Sequence, residues 1–366
     1  MKITCNQKEL IDALNIVRKA TDSKSNILVL RNVLMRVTDE VLELSGYDHR
    51  MGIRTKVKCK VEEKGEITCP CDLLVEILNI VEEEEVYFSL EDENMIVESG
   101  KLQYRMSCIT AEDFPAFPQE DSKEKITLKS DVLEKGIKRT LIATDENDPR
   151  AYMGGVYLEI GKGGISFVAT DGRRLSLNQH EEEGVKYPDL KIIVPARTMR
   201  ELASILSVDD ETISISVGEK SISFTFGNVF VVSRLIEADY PNYRRAIPKE
   251  YSGSCRLNRE KFTKAVRAAA IMARSKEMKD ILDLEFRDEL VRLSSNTIDV
   301  GAANIEIDAK KKGNDIKFSY NLRFLLDFLN VVDDEEVVLD YTHETGPGIF
   351  HTDSPEFTYV LMPVRI

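Results

Sequence analysis

A chain of 366 residues is long enough for two or three domains, each with its own core. With 42% apolar and 31% charged residues it falls outside the disordered compositions. No apolar run approaches the ~20 residues that cross a bilayer, and Met1-Lys2-Ile3-Thr4-Cys5-Asn6 lacks the apolar stretch of a signal peptide, so no membrane association and a cytoplasmic location are expected. Six cysteines (Cys5, Cys59, Cys69, Cys71, Cys108 and Cys255) are scattered through the chain, which predicts free thiols over a disulfide framework. The net charge of −14 opposes a nucleic-acid partner at first sight, but a total hides its distribution.

In chain order, residues 1–14 read as a short strand, a polar start signal and an amphipathic helix. The same pattern returns at Lys125-Ile126-Thr127-Leu128-Lys129-Ser130-Asp131-Val132-Leu133 and at Ser254-Cys255-Arg256-Leu257-Asn258-Arg259-Glu260-Lys261-Phe262. A second strand and helix begin at Ile67, Ile192 and Ile316, spaced by 125 and 124 positions. Two of the units close alike, with Asp113-Phe114-Pro115 and Asp239-Tyr240-Pro241, and Phe114 and Tyr240 are 126 positions apart. Runs such as Val41–Ser45, Ile213–Val217 and Ile222–Phe226 alternate with the period of half-buried antiparallel strands. The chain therefore reads as three tandem copies of one α+β unit, each with two helices on an antiparallel sheet, with domains at 1–122, 123–248 and 249–366.

Basic charge concentrates on the first helix of each copy. Residues 258–279 carry seven basic and two acidic side chains, residues 125–139 five and two, and residues 8–24 four and three. In the third copy Lys264, Arg267 and Arg274 share one helical face, with Phe262, Ala265, Ala269 and Met272 opposite. The acid collects in Glu82–Glu85, Glu181–Glu183 and Asp333–Glu336, after helices or in turns. Taken singly each helix is a solvated face; repeated three times, the faces could contact phosphates without reading base sequence.

Few residues suggest catalysis or a cofactor, and none is expected. Cys69-Pro70-Cys71 has no second cysteine pair, and His49, His180, His343 and His351 are dispersed, so no metal is expected. Gly161-Lys162-Gly163-Gly164 lacks phosphate-loop spacing and is expected to turn a hairpin. In Ala169-Thr170-Asp171-Gly172-Arg173-Arg174-Leu175 an acid and two guanidinium groups follow a strand, but Asp-Gly more often marks a turn and no nucleophile with its base accompanies it. The ending Tyr359–Ile366 reads as a final strand with a frayed end, or as one wall of a peptide groove.

Three of these stretches carry a resemblance: Ala169–Leu175, Asp239-Tyr240-Pro241-Asn242-Tyr243-Arg244-Arg245-Ala246-Ile247-Pro248 and Met362-Pro363-Val364-Arg365. In this order and at these separations, the chain resembles the bacterial DNA polymerase III beta subunit family, the replicative sliding clamps. The resemblance implies a non-catalytic head-to-tail homodimer of six domains closed into a ring around duplex DNA, with DNA polymerases and the clamp loader docking short peptides between the second and third domains. It implies a pocket formed by Met153, Thr170, Gly172, Arg173, Arg174, Leu175, Pro241, Arg245, Ala246, Asn321, Phe324, Val360, Met362, Pro363, Val364 and Arg365. Some members carry His, Val and Met where Arg173, Ala246 and Val364 stand. For DNA it implies Lys24, Asn147, Arg150, Tyr152 and Arg197, to which the basic stripe adds Arg274, Lys276 and Lys279. For the dimer it implies Tyr104 and Met106 against Ile271 and Met272 of the second copy. Two other readings remain open on the residues alone: an interaction scaffold that does not encircle DNA, and an α+β enzyme dependent on Asp171.

Overall fold

The computed structural model describes residues 1–119, 124–206, 211–273, 280–297 and 301–365. The strand, polar residue and helix of the sequence repeat are built three times. The first copy runs β1 (Lys2–Asn6), α1 (Gln7–Val17), β2 (Asn32–Thr38), β3 (Val41–Tyr47), β4 (Met51–Glu63), β5 (Glu66–Pro70), α2 (Cys71–Ile80), β6 (Glu85–Glu91), β7 (Asn94–Ser99) and β8 (Leu102–Ser107). The second runs β9 (Glu124–Lys129), α3 (Ser130–Leu141), β10 (Gly155–Thr170), β11 (Arg174–Pro195), α4 (Ala196–Ile205), β12 (Thr212–Val217), β13 (Ser221–Phe226) and β14 (Val229–Arg234). The third runs β15 (Gly253–Asn258), α5 (Arg259–Ala270), β16 (Ile281–Arg287), β17 (Leu290–Thr297), β18 (Gly301–Asp308), β19 (Lys310–Lys312), β20 (Ile316–Asn321), α6 (Leu322–Val331), β21 (Glu336–Tyr341), β22 (Gly348–His351) and β23 (Phe357–Leu361).

In the first and third copies the polar residue between strand and helix is a cap. Asn6 Oδ1 accepts the Glu9 amide at 3.1 Å and Asn258 Oδ1 the Lys261 amide at 3.0 Å, each satisfying a helix-end N–H for about 1 kcal/mol. Each capped helix then buries one stripe: Leu10, Ala13, Leu14 and Val17 in α1, and Phe262, Ala265, Val266 and Ala269 in α5.

Among the described residues every strand pairing is antiparallel, and the sheets run across copy borders. Met51–Arg54 of β4 pair with Phe230–Ser233 of β14, and Arg174–Asn178 of β11 pair with Phe357–Leu361 of β23. The compact units consequently differ from the copies. One holds residues 1–130 and 204–235, with the sheet β8-β7-β6-β1-β4-β14-β13-β12-β9. The other holds residues 131–203 and 236–366, with the sheets β10-β11-β23-β22-β21-β15-β19 and β18-β17-β16-β20. Its core joins Phe262 and Val266 of α5 to Leu325 and Phe328 of α6 and to Phe318, Phe350 and Tyr359 of the strands.

Three expectations need correction. Gly161–Gly164 does not turn a hairpin; it lies inside β10, where the register with β11 shifts on either side of Lys162. Gly164 has φ +149, and a Cβ there would collide with the His180 carbonyl, so glycine permits a close approach of two backbones. The hairpin turns instead at Asp171–Arg173. Glu181–Glu183 belong to β11 and not to a turn or helix end. Helix α5 stops at Ala270, so Met272 lies beyond it, and Arg274, Lys276 and Lys279 fall outside the described residues. Among the described residues no helix is long and apolar enough to cross a membrane.

In the third copy His351 Nε2 lies 2.9 Å from Asp340 Oδ2, and Nδ1 lies 2.9 Å from the Thr352 carbonyl. Two acceptors favour the doubly protonated ring. The bond to Asp340 raises the imidazole pKa, against desolvation and the nearby Arg256 charge. A folded-state value above the unfolded ~6.5 gives a stabilisation that is fully present below ~6.5 and lost as pH rises through the folded value. His351→Gln should therefore lower Tm most near pH ~6 and least near pH ~9, measured by calorimetry; a gap that does not narrow would contradict this.

Candidate functional site

The second unit holds a cavity of about 450 Å³ built from the strongest sequence motifs. Its lining comes from the 3-10 turn Ala151–Gly154, the β10–β11 turn, the 3-10 turn Tyr243–Ala246 and the end of β23. Met153, Leu175, Tyr243 and Val360 are buried, whereas Met362 is exposed at 41%.

The β10–β11 turn is held by its own side chains. Thr170 Oγ1 accepts the Gly172 amide at 3.1 Å and donates to the Arg174 carbonyl at 2.7 Å. Asp171 Oδ1 accepts the amides of Arg173 and Arg174 at 2.9 and 3.0 Å. Gly172 has φ +81, and a Cβ there would press on Met153 Cε at 3.2 Å, so glycine keeps both the turn and the cavity wall. With its oxygens committed to the turn and to Arg174 Nε at 3.0 Å, Asp171 is a structural acid.

Arg174 anchors the cavity wall from beneath. Its side chain is 9% exposed, and its guanidinium donates to Asp327 Oδ2 of α6 at 2.6 Å and to Tyr359 Oη of β23 at 3.3 Å and lies 4.0 Å over the Phe324 ring. Tyr359 Oη donates in turn to the Phe324 carbonyl at 3.0 Å. A buried cation with two carboxylates and an aromatic face joins β11, α6 and β23. The Met362 amide donates to the Arg173 carbonyl at 2.9 Å and the Val364 amide to the Ser319 carbonyl at 2.7 Å, which lays the chain end along this unit.

Eleven of the sixteen expected pocket residues line the cavity: Met153, Thr170, Gly172, Arg173, Arg174, Leu175, Pro241, Arg245, Ala246, Val360 and Met362. Phe324 lies under Arg174, and Asn321 is the cap of α6, accepting the Arg323 amide at 2.9 Å. Pro363 and Val364 are half-buried and Arg365 is exposed, outside the lining. Sequence reasoning missed Asn242, Tyr243, Pro347 and the supporting Asp327. Asn242 and Tyr243 stood in the Asp239–Pro248 motif; Pro347 and Asp327 gave no signal.

Tyr240 stacks on Tyr157 at 4.4 Å and meets Tyr152 edge-on at 5.6 Å, which fixes the 241–246 wall. Tyr243 Oη and Arg244 Nη2 both donate to Glu159 Oε2, at 2.8 and 2.7 Å. The lining carries Arg150, Arg173, Arg174 and Arg245 and no carboxylate. Arg150 is held by Asp148 through two 2.9 Å bonds, and its hydrogen bonding depresses the Asp148 pKa to about 2. Arg173 and Arg245 have no ion pair among the described residues, so the rim has positive charge to offer.

The residues expected to meet DNA divide. Arg150 and Tyr152 line the cavity. Lys24 and Asn147 occupy the same turn in two copies: the Lys24 amide donates to Asp22 Oδ1 at 3.1 Å, and the Asn147 amide to Asp145 Oδ1 at 3.0 Å. Both side chains are exposed, and Arg197 is half-buried in the first turn of α4. Of the expected dimer residues, Tyr104 is half-buried and Ile271 is 59% exposed, but Met106 is 3% exposed and packs within its own chain. Among the described residues no group of three or more His, Cys, Asp or Glu side chains could hold a metal.

Three models of one family match consecutive stretches of the chain: the DNA polymerase III beta subunit N-terminal domain over 1–118, its central domain over 127–242 and its C-terminal domain over 244–365. The beta sliding clamp of Synechococcus elongatus is 28% identical over 373 residues, covering 100% of both chains. The crystal structure of a putative DNA polymerase III beta subunit from Eubacterium rectale superposes with a TM-score of 0.93 at 27% identity, covering 100% of both chains. A sliding clamp from Pseudomonas aeruginosa, solved bound to griselimycin, superposes with a TM-score of 0.94 at 26% identity, again covering 100% of both. With three domain models in chain order over nearly its whole length, the chain belongs to the DNA polymerase III beta subunit family.

Proposed function

We propose that this chain is a non-catalytic cytoplasmic sliding clamp: two copies close head to tail into a six-domain ring around duplex DNA and tether polymerase through the cavity described above. One observation carries the ring. Copy one joins copy two through β4 and β14, and copy two joins copy three through the equivalent strands β11 and β23. In the same scheme the third copy offers β18 and the first offers β8, and each is an end strand of its sheet. A third and fourth join of the same kind, made between two chains, uses both edges and closes the ring. Tyr104 and the β8 backbone would make that contact, facing Ile271 and Met272 of the second copy, with Met106 supporting from inside.

The domains are taken as 1–122, 123–248 and 249–366. A closed ring stays on DNA by topology, so weak phosphate contacts from Lys24, Asn147, Arg150, Tyr152 and Arg197 suffice and leave sliding easy. An acidic chain suits that task, since tight nonspecific binding would oppose movement. The partner site is the apolar cavity with its cationic rim, fitted to a short peptide with apolar anchors and an acidic flank, as on a polymerase or clamp loader. The committed oxygens of Asp171 leave the enzyme reading without an acid or base there.

Sedimentation at micromolar concentration should give twice the 41.5 kDa chain mass; a monomer would favour the scaffold reading. Met362→Ala and Arg365→Ala should each weaken a labelled peptide from the host polymerase's clamp-binding segment by about tenfold, roughly 1.4 kcal/mol, without changing that mass. Unchanged affinity in fluorescence anisotropy would remove the cavity as the docking site.

A further inference from the structure

Five of the six cysteines are buried, and two of the buried ones touch: Cys69 Sγ and Cys108 Sγ are 3.1 Å apart. Their meeting is imposed by the backbone. The Thr68 amide donates to the Ile109 carbonyl at 3.0 Å and the Ile109 amide returns the bond to the Thr68 carbonyl at 3.1 Å. Two mutual bonds mark a hydrogen-bonded antiparallel pair. The next pair along, Cys69 opposite Cys108, therefore occupies a non-hydrogen-bonded position, where Cα atoms lie ~4.5 Å apart and side chains approach most closely. That separation lies within the ~4.4–6.8 Å that a disulfide spans, and closure requires the sulfurs to approach by about 1 Å. Thr68 is pinned further by its hydroxyl, which donates to the Ile109 carbonyl at 2.8 Å and accepts from Asn32 Nδ2 at 3.0 Å.

We propose that Cys69 and Cys108 form a peroxide-responsive thiol pair that closes to an intrachain disulfide and staples the chain leaving β8 onto β5. The pair is asymmetric. Cys69 is fully buried and Cys108 is 7% exposed. A hydrogen bond joins the two sulfurs, with either able to donate, and it lowers the Cys108 pKa and raises that of Cys69. The Cys108 thiolate attacks one oxygen of hydrogen peroxide, the O–O bond breaks, and hydroxide leaves, giving a sulfenic acid at Cys108. Cys69 Sγ then attacks Cys108 Sγ and gives up its proton as hydroxide leaves, so two thiols are oxidised and one peroxide is reduced to two waters. The proposal does not depend on the ring.

Exposure alone would choose a different cysteine. Cys59 is the half-exposed one, opposite Cys5 in the β1–β4 pairing. The test treats the full chain with hydrogen peroxide, alkylates it under denaturing conditions, digests it and identifies the peptides by mass spectrometry. The expected product is a peptide pair linked through Cys69 and Cys108, about 2 Da lighter than the sum of its two thiol peptides and released by dithiothreitol. The link should survive Cys71→Ser and disappear in Cys108→Ser. Recovery of Cys69 and Cys108 as alkylated thiols at doses that oxidise Cys59, or a Cys71–Cys108 link in their place, overturns the proposal.

Discussion

Antiparallel pairing between strands of successive copies governs the rest of this structure. A single copy leaves backbone N–H and C=O groups along its end strands, and those groups cost free energy if covered without partners. Here they are used: Met51–Arg54 of the first copy take up Phe230–Ser233 of the second, and Arg174–Asn178 of the second take up Phe357–Leu361 of the third. The same join made twice explains why sheets ignore copy borders and why the compact units divide the second copy between them. It also leaves β8 and β18 as end strands of their sheets, the edges on which the proposed ring rests.

The cavity depends on the second of those joins. Leu175 pairs with Val360 across it and both sit in the cavity wall, while Arg174 and Leu361 pair one position away. Arg174 then turns beneath the wall to Asp327 and Phe324 of α6, so a strand pairing and a buried guanidinium hold the same surface. The acid supplied for that guanidinium is satisfied inside the protein. What reaches the rim is the charge of Arg173 and Arg245, which form no ion pair among the described residues, beside exposed Met362, and the proposed peptide docking rests on that combination.

Much of this was legible in the sequence because it is local. Polar residues such as Asn6 and Asn258 before apolar-periodic runs are caps, and the alternating stretches are strands. The threefold spacing gave the three tandem units. The rest required long-range pairing. Gly161–Gly164 has the composition of a turn, yet a bulged pairing with β11 carries it through as strand, because close backbone approach and turning both demand glycine. Asp327 looks like any exposed helical acid until Arg174, 153 positions earlier in the chain, is folded against it. Asn321 caps α6, and Phe324 lies directly beneath the lining residue Arg174, so their relation to the cavity follows from the packing of α6 and not from local sequence.

The proposed retention on DNA is topological. It is tested most directly by loading the protein onto nicked circular DNA with its clamp loader, washing at high salt, and then linearising the DNA. A ring should stay bound through a wash that abolishes simple phosphate contacts and should leave once ends are cut. Equal retention before and after linearisation, or loss from the intact circle at high salt, would contradict the account.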